Sequence, residues 1–192
     1  MHDLEPFWLW RDYYTTETDK KSPFYKQNYS EIYFSNAIYN YFIHPQWDNF
    51  DSNTLYLKIL YADYNLGFCI IELIGEWNDC LYNDIKFLKR NIIEVLLAEN
   101  INKFILIGEN VLNFHYSDDS YYQEWFEEAE NGWIVALGFR QHLIHEFKNA
   151  GIQHYIQFED EEYAIDWRIM KPTELFLRIE NDYFSQKYLL PI

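Results

Sequence analysis

No glycine occurs before Gly67, and only six serve the whole chain of 192 residues. Cysteine is scarcer still. Cys69 and Cys80 are the two present, too few for a disulfide framework, and they read as thiols in a reducing compartment. Basic residues are in deficit, with 15 Lys and Arg against 31 Asp and Glu and a net charge of -16. Nucleic-acid affinity comes largely from basic side chains that displace counterions, so nucleic acid is excluded as a partner, and anionic membrane surfaces with it. The charge suits solubility, and it is compatible with a basic protein partner or a cation. No apolar run approaches the roughly 20 residues of a membrane span. The opening MHDLEPFWLWRDYY has no basic leader region, so the expected location is cytoplasmic. The glycine-rich phosphate loops are missing, and so are a G-x-S-x-G elbow and a C-x-x-C pair. Nucleotide binding by those routes and nucleophilic catalysis are therefore not expected.

Aromatic residues, in contrast, are abundant. They make up 21% of the chain, and 15 of them fall in residues 1–54. This part is hard to type by period. Phe34, Ala37, Ile38, Tyr41 and Phe42 have helical spacing, whereas Tyr29 to Phe34 also fits a strand, and Pro45 ends whatever precedes it. We read residues 1–54 as an aromatic extension packed on an α/β domain of residues 55–192, with an aromatic ligand groove as the alternative.

From residue 55 the signals sharpen. LYLKILYAD and GFCIIELIG are two strand-length apolar runs around YNL, which predicts a tight hairpin with Gly67 at positive φ. That register sets Lys58 opposite Glu72 as a cross-strand ion pair. LYNDIKFLKRNIIEVLLAEN predicts a long helix with Leu81, Ile85, Leu88, Ile92 and Leu96 on one face. Asn78, Asp79 and Asn83 are its candidate N-caps. KFILIGEN predicts a buried strand. SYYQEWFEEAE predicts a helix with Tyr122, Trp125, Phe126 and Ala129 inward. WIVALGF is a further strand, RQHLIHEFKNAG a helix closing at Gly151, IQHYIQF another strand, and TELFLRIENDYF a last helix after Pro172. A hairpin followed by alternating helix and strand predicts a mixed α/β sheet with a largely parallel core.

This order resembles the STAS domain, named for sulphate transporters and anti-sigma-factor antagonists, over residues 55–180. The residues concerned are the hairpin ending in LIGEWND, the long helix, and FILIGENVLNF followed by DDSYYQEW. The resemblance implies a regulatory protein-interaction module with a three-strand parallel core. In that family a strand ends in an Asp-Ser-rich turn that opens a helix, and a Ser or Thr in the turn is phosphorylated to control partner binding. Asp119 and Ser120 match the turn's first two residues. Tyr121 and Tyr122 then stand where the family has a small hydroxyl residue and a glycine. The chain as a whole also resembles an uncharacterised bacterial protein family, which implies no known activity.

Parallel sheets bind ligands at the carboxyl ends of their strands. The tetrapeptide LIGE recurs at 73–76 and 106–109, with glycine where the chain turns or approaches something closely. If the strands are neighbours, Glu76 and Glu109 project near each other and repel unless one is protonated or a cation lies between them. Asp79, Asn110, Asn113, His115, Asp118, Asp119 and Ser120 fall on the same expected rim. Such oxygen-rich residues suit Mg²⁺ or Ca²⁺, and they equally suit helix caps on a solvated acidic edge. No cofactor is evident beyond a divalent cation at this rim. His142, His145 and Glu146 share a helix face but lack the H-E-x-x-H order. The leading expectation is a non-enzymatic interaction module using the turn Asn113–Tyr122. The alternatives are a small-molecule or divalent-cation enzyme at the LIGE rim and a homodimer built through exposed aromatics.

Overall fold

The computed structural model describes residues 4–30, 32–160 and 164–184; the ends of the two expected divisions, residues 1–3 and 185–192, lie outside them. Ahead of the main sheet, β1 (Ala37–Ile38) and β2 (Tyr41–Phe42) form a short antiparallel hairpin turning on Tyr39 at φ 54°. The turn expected at YNLG then pairs Asp63 with Phe68, and an irregularity between Ile59 and Tyr61 shifts the register by one residue before Lys58. Asp63 Oδ1 accepts the backbone N–H groups of Asn65 and Leu66, and the Gly67 N–H closes onto the Asp63 carbonyl at 2.8 Å with φ at 70°. This turn joins β3 (Leu55–Asp63) to β4 (Phe68–Asn78) with Lys58 opposite Glu72, as the sequence predicts. The ion pair expected between them does not form. The N-terminal segment supplies other partners: Lys58 Nζ lies 3.1 Å from Asp48, and Glu72 accepts the Phe7 N–H at 2.7 Å.

Parallel pairing adds β5 (Lys103–His115), β6 (Trp133–Leu137) and β7 (Gln157–Phe158) in the order β3-β4-β5-β6-β7. The sheet is mixed, as expected, and always steps the same way. Right-handed crossovers then place every connecting helix on one face. These are α1 (Asp79–Tyr82), α2 (Asp84–Leu88) running through a π-turn at Lys89–Ile93 into α3 (Glu94–Ala98), α4 (Ser120–Glu128) and α5 (Gln141–Asn149). Ile85, Leu88, Ile92, Leu96, Trp125 and Phe147 pack there on Ile71, Leu73, Phe104 and Leu106. Alternate strand residues Phe68, Ile70, Ile105 and Ile107 face the other way. That face is covered by Trp10, Trp167 and the apolar side of α6 (Pro172–Ile179).

Four local expectations change. Asn83 adopts a left-handed conformation, φ 53°, which breaks the long helix after one turn. Leu81 therefore leaves the expected apolar face and is 73% exposed. β5 runs on to His115, because Val111 and Phe114 continue its buried side after two register shifts in its pairing with β4. IQHYIQF is not one strand: Ile152 and Ile156 are both buried at a spacing of four, and a 3₁₀ turn over Ile152–His154 precedes the two-residue β7. Phe126, expected inward, faces solvent, while Tyr122, Trp125 and Ala129 are buried.

The first 54 residues divide among three places, one of them the cluster under the connecting helices, which Phe50 joins with Tyr14 and Phe24 beside it. Trp10 contacts Trp167, with ring centroids 5.6 Å apart, on the face away from the connecting helices. Ile38, Ile43 and Trp47 pack on Tyr56 and Ile74, which carries the β1–β2 hairpin toward the end of β4. An isolated antiparallel bridge between Asp48 and Leu57 covers the outer edge of β3.

Candidate functional site

The carboxyl ends of β4 and β5 stop side by side, with Asn78 paired to His115. Asn78 Oδ1 accepts the Leu81 N–H at 2.9 Å and so caps α1, as the sequence allows. Next to it, Asp79 turns inward and is only 1% exposed. Its carboxylate accepts from Trp77 Nε1 at 3.1 Å, the Ile85 N–H at 2.9 Å and the Tyr122 hydroxyl at 2.6 Å. Burial pushes the Asp79 carboxyl up to about 7, partly offset by those donors. Asp84, also buried, accepts from Ser52, Thr54 and the Asn78 N–H. The two carboxyls thus form a satisfied polar knot that ties the β4–α1 junction to the start of β3.

The two LIGE glutamates follow separate courses. Register sets Glu109 beside Leu73 and Glu76 three residues further along, a separation of about 10 Å at the usual strand rise. Glu76 accepts from Asn113 Nδ2 at 3.0 Å and from the Tyr39 hydroxyl at 2.5 Å. Glu109 accepts from Trp167 Nε1 at 2.7 Å and pairs with Arg168 at 2.8 Å. Asn110 donates to the buried Glu72 at 3.4 Å, on the face that carries Phe7. Burial raises the Glu72 carboxyl to about 7. Both glycines serve close approaches. A Cβ on Gly75, at φ 118°, would lie 2.1 Å from the Thr54 carbonyl, and one on Gly108 would lie 2.2 Å from the Phe139 ring.

Beyond His115 the turn closes on itself. Asp118 accepts the Ser120 N–H at 3.0 Å and also the Ser120 hydroxyl, so Ser120 opens α4 with its side chain engaged. Asp119 accepts the Tyr155 hydroxyl at 2.9 Å. Of the nine residues expected at the rim, Glu76, Asn113 and His115 stand together at the strand ends. Asp118, Asp119 and Ser120 form the adjoining turn. Asp79 is interior, and Glu109 with Asn110 lies further back along the sheet, beside Trp167 and Glu72.

What the rim does present is a groove of about 770 Å³. Leu81, Phe114, Tyr116 and Tyr39 line it, with His115 and Glu146 among its polar members. Leu81, Tyr39 and Tyr116 are 73%, 61% and 41% exposed, and Ile32, Tyr33, Tyr41 and Phe42 of the neighbouring hairpin region are exposed too. Sequence reasoning missed Leu81 and Tyr39 as groove residues. The signal was Asn83, a residue type that tolerates left-handed backbone, placed inside a helical pattern. Among the described residues, the grouping able to offer three close metal-ligand atoms is Glu94, Glu124 and Glu128. The Lys89 ammonium already contacts all three, at 3.2, 3.4 and 2.7 Å. None of the expected rim carboxylates belongs to it. No helix among the described residues is long and apolar enough to cross a membrane.

No family model matches the chain, and no curated protein matches it. Solved structures that resemble it include the anti-sigma factor antagonist SpoIIAA in its unphosphorylated form. That likeness has 12% identity and a TM-score of 0.45, over 65% of this chain and 96% of that one. The Bacillus cell fate determinant SpoIIAA in its phosphorylated form resembles it at 12% identity and a TM-score of 0.39, over 64% of this chain and 98% of that one.

Proposed function

We propose that the protein is a non-enzymatic protein-interaction module whose partner docks at the rim groove and the adjoining aromatic hairpin. The observation that carries this reading is the exposed apolar surface from Tyr39 through Leu81 to Tyr116 at the carboxyl ends of β4 and β5. Large apolar side chains grouped on an acidic surface mark interaction sites, whereas single ones are ordinary. The rim carboxylates support it in a second way. Glu76, Asp79, Glu109, Asp118 and Asp119 each accept hydrogen bonds from side chains or backbone of this chain. A divalent cation would have to displace those donors.

The test is a crosslinked pull-down from the protein's own cell extract with three forms of the chain. The unmodified form and Leu177→Glu, altered on the exposed side of α6, retain the same adduct. Leu81→Glu combined with Tyr39→Glu loses it. Equal recovery with all three forms, or recovery with none, rejects the reading.

A further inference from the structure

Two arginines of this chain show what holds a guanidinium on its surface. Arg90 lies over the Tyr121 ring, 5.5 Å from the centroid, and pairs with Glu94 and, at 2.7 Å, with Glu124. Arg168 lies over the Trp167 ring, 4.4 Å from the centroid, and pairs with Glu109 at 2.8 Å. In both places an aromatic face and a carboxylate act together. A planar guanidinium stacks on the ring and turns its fork of N–H groups to the acid, which a compact ammonium does less well.

The rim groove repeats this pairing without the cation. Tyr39 is exposed and donates its hydroxyl to Glu76. The Tyr116 hydroxyl is pushed up by burial and then by the charges of Asp119 and Asp118, so both acids lie near it. Glu146 lines the groove, and its carboxylate has no partner among the described residues. Among those residues no lysine or arginine lines the groove. The larger groove beside β7 differs, because Lys148 and Arg178 line it together with Glu159, Asp160 and Asp182. The rim acids also have capacity left. An ionised carboxylate offers about four acceptor positions, and Glu76 uses two, for Tyr39 and Asn113. A guanidinium can join them without displacing either donor. We infer that the segment docking at the rim presents arginine, stacked on Tyr39 or Tyr116 and paired with the neighbouring carboxylates, beside an apolar side chain seated on Leu81 and Phe114. This inference rests on the rim groove being a docking surface and adds the chemistry of what docks there. The net charge of -16 draws such a segment in.

The test selects a phage-displayed library of random peptides on the full chain. Counter-selection uses Leu81→Ser combined with Tyr39→Ser, two exposed positions whose replacement leaves the fold standing. The groove-dependent peptides carry arginine next to an apolar residue and are depleted in aspartate and glutamate. Synthetic copies are then titrated by fluorescence anisotropy. Glutamine in place of the arginine weakens binding at least about tenfold, and lysine in its place about threefold. Glu146→Gln combined with Glu76→Gln weakens the arginine peptide about tenfold and leaves the glutamine peptide unchanged. Groove-dependent peptides that lack arginine, or that lose nothing when it becomes glutamine or lysine, overturn the inference and leave the docking surface standing. Recovery of no groove-dependent peptide overturns it as well, and the docking surface is then judged by the pull-down alone.

Discussion

Among the described residues, Asp48, Glu72 and Asp79 titrate where most carboxylates are long since ionised. Burial raises Asp48 to about 6 and Glu72 and Asp79 to about 7. For each, the folded state holds a proton that the unfolded state releases near pH 4. The contribution is therefore complete below pH 4 and is lost as pH rises through 6 to 7. The urea midpoint is expected to fall between pH 5.5 and pH 8, with Glu72 alone accounting for at most about 3 kcal/mol. Glu72→Gln keeps an acceptor for the Phe7 N–H and removes the charge, so it should raise stability at pH 8 and change little at pH 5.5. A midpoint that is flat or rises over this range would contradict the assignment. Glu109 behaves differently, because its charge is used. Glu109→Leu orphans Trp167 Nε1, on a residue 2% exposed, and should cost about 1–3 kcal/mol by chemical denaturation. Mutual repulsion with Glu76, the expectation from sequence, would instead make removal of Glu109 stabilising.

At the scale of elements, the strands depend on glycine at two crossings. Gly75→Ala forces a side chain against the Thr54 carbonyl in a backbone region that L residues avoid. It should lower stability by at least about 2 kcal/mol, read as a shifted urea midpoint. The hairpin and the alternation of helix and strand were legible, because period, turn chemistry and glycine placement agree there. The turn pairs Asp63 with Phe68, one step from the expected Gly67, and an irregularity between Ile59 and Tyr61 restores Lys58 opposite Glu72. Their partners were not legible, since Asp48 and Phe7 come from a segment without a readable period. The end of β5 was obscured by bulges that interrupt strict alternation between Ile107 and Phe114. Leu81 was misplaced because one left-handed residue, Asn83, reorients a turn that otherwise fits the helical pattern. That Glu76, Asn113 and His115 fall at strand ends was legible, but the groups that engage the carboxylates were not. Carboxylates in a sequence do not reveal whether Asn113, Tyr39, Trp167 or Arg168 will engage them.

For the molecule as a whole, helices cover one face of the sheet, and Trp10, Trp167 and α6 cover the other. The carboxyl ends of β4 and β5 are left as an apolar groove inside an acidic surface. The rim carboxylates Glu76, Glu109, Asp118 and Asp119 already accept hydrogen bonds within the chain. Melting of the unmodified protein should be indifferent to Mg²⁺, Ca²⁺, Mn²⁺ and Zn²⁺, and a rise abolished by Glu76→Gln would restore the cation reading. The most direct measurement places a photo-crosslinking side chain at position 81 in the groove and, separately, at position 177 on α6, in the protein's native cells. A discrete protein adduct from position 81 and none from position 177 is the predicted result. Adducts indistinguishable between the two positions, or none at position 81, would contradict a docking surface at the strand ends.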